Sequence, residues 1–78
     1  MTVKAKTVYE VLKGMKLERI KNPYRKSHQV WRDDRGREVQ LKPMGDVVHN
    51  LFVHILARQL ETQGICTSRH FKTQLREI

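Results

Sequence analysis

The sequence predicts an α+β fold, a small antiparallel sheet packed against helices. Three observations lead there. Residues 27–42 read as a β-hairpin, Val47 to Leu60 carries apolar residues at helical spacing, and Thr7 to Met15 carries a shorter helical stripe.

In the first stretch, Thr7 can cap a helix and Glu10 three residues later completes a capping-box pattern. Val8, Val11, Leu12 and Met15 then fall on one face, and Gly14 is placed to end the helix. Leu17 to Ile20 is a candidate third strand, and Asn22-Pro23-Tyr24 marks a turn, because proline fixes its own φ and pushes the preceding residue out of helical space.

The hairpin is expected over Ser27 to Arg32 and Arg37 to Lys42. Val30, Trp31, Val39 and Leu41 favour strands, and Asp33-Asp34-Arg35-Gly36 is turn chemistry with Gly36 free to take positive φ. Val39 and Leu41 share one face, while Glu38, Gln40 and Lys42 share the other, as in a half-buried sheet. After Pro43, Asp46 reads as the N-cap of a long helix over 46–62, with Val48, Leu51, Phe52, Ile55, Leu56 and Leu60 as its apolar stripe. Gly64 stops that helix. Thr67 or Ser68 can cap a short C-terminal helix carrying Phe71, Leu75 and Ile78.

A chain of 78 residues places everything in one domain, 1–78, with a core small enough that a homodimer or a bound partner would help it. Cys66 is the lone cysteine, which excludes a disulfide framework and suits a reducing, cytoplasmic setting. No stretch approaches the ~18 apolar residues of a membrane span, and the N-terminal residues show no signal-peptide pattern.

Charge is the strongest functional signal. The net charge is +8, and Lys13 to Lys42 holds ten Lys/Arg against four Asp/Glu, so +6 of it sits in mid-chain. Such a block is the footprint of a polyanion binder, since each neutralised phosphate releases condensed counterions. A solvated face that only confers solubility would share this composition. The expected phosphate contacts are Lys21, Arg25, Lys26, Arg32, Arg35 and Arg37, with Tyr24 and Trp31 as stacking platforms for bases. Trp31 has a competing role as anchor of the core, because it alternates with Val30 and one of the two must face the helices.

His28 opens the hairpin amid Arg25, Lys26 and Arg32, with Arg37 or Lys42 across from it according to register. Cations oppose the charged form of an imidazole, and a neutral imidazole beside them suits general-base activation of a 2′-hydroxyl. A strand histidine that only touches phosphate would look the same.

The order helix, short strand, Ser27-His28-x-Val30-Trp31-Arg32, turn, Arg37-x-Val39-x-Leu41, Pro43, helix resembles the HicA-type mRNA-interferase toxins over about residues 7–60. The resemblance implies a double-stranded-RNA-binding-like fold, His28 as the catalytic residue, an antitoxin partner and a preference for RNA over DNA. Lys26 stands where the motif has glycine, and Asn22 to Arg25 reads as an insertion.

Two other readings remain open. Leu56 to Leu75 resembles a helix-turn-helix whose second helix carries Arg69, Lys72 and Arg76; the same helix could instead pack back on the core. The basic face could also dock on an acidic protein, as a small inhibitor would. Cys66, His70, His49 and His54 match no zinc spacing, so neither a metal nor a cofactor is expected. No phosphate-binding glycine loop, nucleophile triad or carboxylate pair can be drawn.

Overall fold

A computed structural model of the chain describes residues 2–21 and 28–77. It is α+β, with three helices and two small antiparallel sheets. The order is β1 (Thr2–Lys4), α1 (Ala5–Gly14), β2 (Glu18–Ile20), β3 (Gln29–Arg32), β4 (Glu38–Leu41), β5 (Val47–His49), α2 (Asn50–Thr62) and α3 (Ser68–Glu77). One sheet runs β2-β3-β4 and the other pairs β1 with β5.

The second sheet revises both helix starts. Lys4 pairs with Val47 and Thr2 with His49, and the Ala5 amide donates to the Asp46 carbonyl at 2.8 Å. The chain therefore passes from β1 directly into α1, and Thr7 with Glu10 lies inside the helix rather than capping it. Asp46 likewise caps nothing: the β-branched pair Val47-Val48 extends into β5, and α2 begins only at Asn50. The cap is the His49 side chain, whose Nδ1 accepts from the Leu51 amide at 3.2 Å. At the far end of α1 the left-handed residue is Lys16, φ 65, rather than Gly14.

The hairpin register pairs Gln29 with Leu41, Trp31 with Val39 and Arg32 with Glu38. Paired residues share a sheet face, so Gln29, Trp31, Val39 and Leu41 look one way and Val30, Arg32, Glu38 and Gln40 the other. Trp31, Val39 and Leu41 of the first set meet the helices in a core formed with Val8, Leu12, Leu56, Leu60 and Phe71, and Gln29 is buried beside them. Helix α2 turns Val53, Leu56, Ala57 and Leu60 inward, whereas Leu51 and Ile55 of the expected stripe are exposed, at 58% and 43%. Gln59 explains part of this rotation. Its carboxamide accepts from the Gln40 amide at 2.8 Å and donates to the Gln40 carbonyl at 2.9 Å, closing the free edge of β4 with α2 alongside.

Helix α3 packs on α2 and α1, with Phe71 fully buried and Leu75 partly so. Gly64, φ 75, reverses the chain after α2, and the Thr67 hydroxyl accepts from the His70 amide at 3.1 Å to cap α3.

Candidate nucleic-acid interface

The turn between β3 and β4 is organised by Asp33. Its Oδ1 accepts from the amides of Arg35, at 3.0 Å, and Arg37, at 2.8 Å, while Oδ2 accepts from Arg37 Nε at 2.6 Å. Burial raises the pKa of this carboxyl, but the bonds from Arg37 and Arg35 and the guanidinium charge outweigh it and leave it below the ordinary 3.8. Gly36 takes φ 80, as the turn chemistry demands. Arg37 also reaches from this turn to the α2–α3 connection, donating through Nη1 to the Gly64 carbonyl at 3.0 Å.

This geometry redistributes the expected phosphate contacts. Arg37 is half-buried and holds two elements together, so it is a strut before it is a ligand. Arg32 is exposed and paired with Glu38 across the hairpin. Arg35 and Lys21 are exposed, in the turn and just beyond β2. Tyr24, Arg25 and Lys26 lie outside the described residues.

Trp31 is corrected outright as a stacking platform. It is 2% exposed, its ring stacks on Tyr9 at 5.6 Å between centroids, and its Nε1 donates to Gln29 Oε1 at 3.1 Å. Gln29 in turn donates to the Tyr9 hydroxyl at 2.8 Å. The buried indole thus has its polar partner inside the fold, and no face is left for a base.

His28 lies one step before the Gln29–Leu41 pair, which sets Lys42 opposite it. Both line a cleft of about 200 Å³ together with Gln40, Phe52, Ile55 and Gln59. The Lys42 ammonium stands 5.9 Å from the centre of the Phe52 ring, a cation–π distance. The hairpin thus supplies an imidazole and an ammonium, and the flank of α2 supplies an apolar, aromatic wall. Such a cleft can hydrogen-bond a phosphate oxygen and pack a base or ribose. The sequence leaves Lys42 as one of two residues that could face His28 and places Phe52 on the apolar stripe of the following helix, but strand alternation could not bring α2 to Lys42.

Two further basic grooves flank the fold. Lys13, Lys16, Arg19 and Arg32 line one of about 810 Å³ where α1, β2 and β3 meet, with Glu18, Asp33 and Asp34 among them. Arg69, Lys72 and Arg76 line one of about 610 Å³ along α3, with Glu61 its one carboxylate. Among the described residues no cluster of His, Cys, Asp and Glu could hold a metal ion, and no helix is long and apolar enough to cross a membrane. Burial raises the pKa of the Cys66 thiol, and the nearby charge of Glu61 adds to it, which keeps the sulfur a thiol rather than a nucleophile. No family model matches the chain, and neither does any curated protein or solved structure.

Proposed function

We propose that this chain binds RNA, with the cleft between the hairpin and α2 as the centre of contact. The observation that carries this reading is the meeting of His28 and Lys42 in one cleft walled by Phe52 and Ile55. An ammonium and an imidazole suit a phosphate, and an aromatic wall suits a base or sugar. The net charge of +8 supplies the long-range attraction, and α1, the β2-β3-β4 sheet and α2 stand in the order expected from the resemblance to an RNA-binding-like fold, with β5 added between β4 and α2. RNA is favoured over DNA on that resemblance. Binding is expected to weaken steeply with salt, and Lys42→Ala is expected to weaken it at low salt while the fold persists. Salt-independent binding, or binding untouched by Lys42→Ala, would refute the reading.

A second reading is a metal-independent endoribonuclease, and the Lys42–His28 juxtaposition favours it. His28 would accept the proton of a 2′-hydroxyl while O2′ attacks the adjacent phosphorus. The bond to the 5′-oxygen breaks, that oxygen takes a proton from solvent, and a 2′,3′-cyclic phosphate remains, with Lys42 neutralising the phosphate charge. Incubation with labelled single-stranded RNA in EDTA separates the readings. Cleavage by the parent and not by His28→Ala establishes the nuclease. Intact but shifted RNA establishes the binder. Intact and unshifted RNA, with an acidic protein retained at equal stoichiometry, replaces both with a protein that docks on that acidic partner.

A further inference from the structure

The exposed side of α3 is a separate surface. Arg69, Lys72 and Arg76 succeed one another by three and four residues, so they stand on one face over roughly 10 Å of helix at 1.5 Å per residue. They share their groove of about 610 Å³ with the hydroxyl residues Thr67, Ser68 and Thr73 and with one carboxylate, Glu61, so the groove keeps a net positive lining. Two independent observations make this face more than a solvated one. First, neither ion pair of the described residues involves these cations: Arg32 is paired with Glu38 and Arg37 with Asp33. Secondly, the opposite side of α3 is anchored through Phe71, fully buried, and Leu75, so the face is presented on a fixed element. The α2–α3 connection beneath it is tied to the hairpin turn by the Arg37–Gly64 bond of 3.0 Å. A positive face on a packed helix, in no ion pair among the described residues, is complementary to a regularly spaced anion. The amino end of α3 opens on the same groove and adds its amide dipoles to that field.

We infer that α3 is a second phosphate-binding surface, engaging the sugar–phosphate backbone of the RNA beyond the stretch held at the His28–Lys42 cleft. The inference rests on the RNA reading for the identity of the polyanion, and on α3 alone for the site. Arg69, Lys72 and Arg76 supply the phosphate contacts, and Thr73 is a hydroxyl donor between them. No base-reading role is assigned to the face. Its contribution is sequence-independent affinity and orientation, as phosphate contacts generally give.

The test compares the parent chain with Arg69→Ala/Lys72→Ala/Arg76→Ala and with a control, Lys4→Ala/Lys6→Ala/Arg58→Ala, which removes as many positive charges outside the groove. Binding of a labelled single-stranded RNA is followed by anisotropy from low to moderate salt, with circular dichroism and thermal melting to confirm each fold. The α3 variant is expected to flatten the slope of log affinity against log salt by about 2, since three lost contacts each contribute about 0.7 on single strands, while the control stays within about 0.5 of the parent slope. A slope unchanged in the α3 variant overturns the inference and leaves the cleft reading standing. Equal flattening in the control also overturns it, because net charge alone would then account for the effect. A parent that binds no RNA overturns the RNA reading and this inference together.

Discussion

In the hairpin, Arg32 is paired with Glu38 and Arg37 with Asp33, whereas on α3 the cations Arg69, Lys72 and Arg76 enter no ion pair among the described residues. Charge along the sequence runs the other way. Residues 13–42 carry +6 and residues 43–78 only +1, so by composition the hairpin is the binding region and the C-terminal part is neutral. Net charge counts ions without asking what they already hold. Antiparallel pairing sets Arg32 against Glu38, and the turn folds Arg37 back on Asp33, whose carboxylate accepts from both the Arg37 amide and its guanidinium. On α3 the three cations share their groove with a single carboxylate, Glu61 of α2, which forms no ion pair with them among the described residues, and a short amphipathic helix has only one face to give to solvent.

The comparison breaks first if α3 is not truly fixed. Phe71→Ala removes a fully buried ring from the contact among α1, α2 and α3, and is expected to cost about 3–5 kcal/mol in denaturant unfolding. A loss under about 1 kcal/mol, the scale of a surface substitution, would mean that α3 is loosely held and that its face is not pre-oriented for any ligand.

A smaller effect separates the two kinds of arginine. Arg37→Ala is expected to lower the melting temperature by several degrees, because it strips both the Asp33 carboxylate and the Gly64 carbonyl of a donor. Arg76→Ala or Arg35→Ala, at exposed positions, should leave it nearly unmoved. Asp33 adds a pH signature. Its folded pKa lies below its unfolded value, so its stabilisation is present in full above about pH 4 and disappears as pH falls through the folded pKa. Acid titration of the unfolding midpoint should therefore show a decline below about pH 4 that is shallower in Asp33→Asn. Identical acid profiles for the two proteins would show that the turn network does not couple to folding.

The hairpin and the start of α3 were legible in the sequence because alternation, turn chemistry and capping are local: Val39 and Leu41 face the core, Gly36 takes its positive φ, and α3 begins at Ser68 behind its Thr67 cap. What was not legible depended on contacts between distant segments. Nothing local marks Thr2–Lys4 as a strand, since the strand it pairs with among the described residues, Val47–His49, lies far along the chain. That pairing moved the start of α2 to Asn50. The placement of Trp31 turned on Gln29, a polar residue that pattern reading sends to solvent, yet which is buried as the bridge between Trp31 and Tyr9. The His28–Lys42 pairing followed from register, which the sequence left open between Lys42 and Arg37, and the Phe52 wall came from α2 lying along β4.

The smallest predicted effect concerns the α2 cap, where strand and helix compete for one residue. His49 pairs with Thr2 in the β1–β5 sheet and also caps α2 through Nδ1. Aspartate is the better cap, since its carboxylate accepts amide bonds and its charge suits the positive end of the helix dipole. It is also a poor strand residue. The side chain at 49 is exposed, at the end of a three-residue strand, so little packing depends on its β propensity. Capping should therefore prevail, and His49→Asp should stabilise the chain by about 0.5 kcal/mol, read as a higher denaturant midpoint with an unchanged slope. A lower midpoint would mean that the β1–β5 pairing, rather than the cap, sets the demand at this position, and that the short sheet holds the start of α2 more firmly than the helix holds itself.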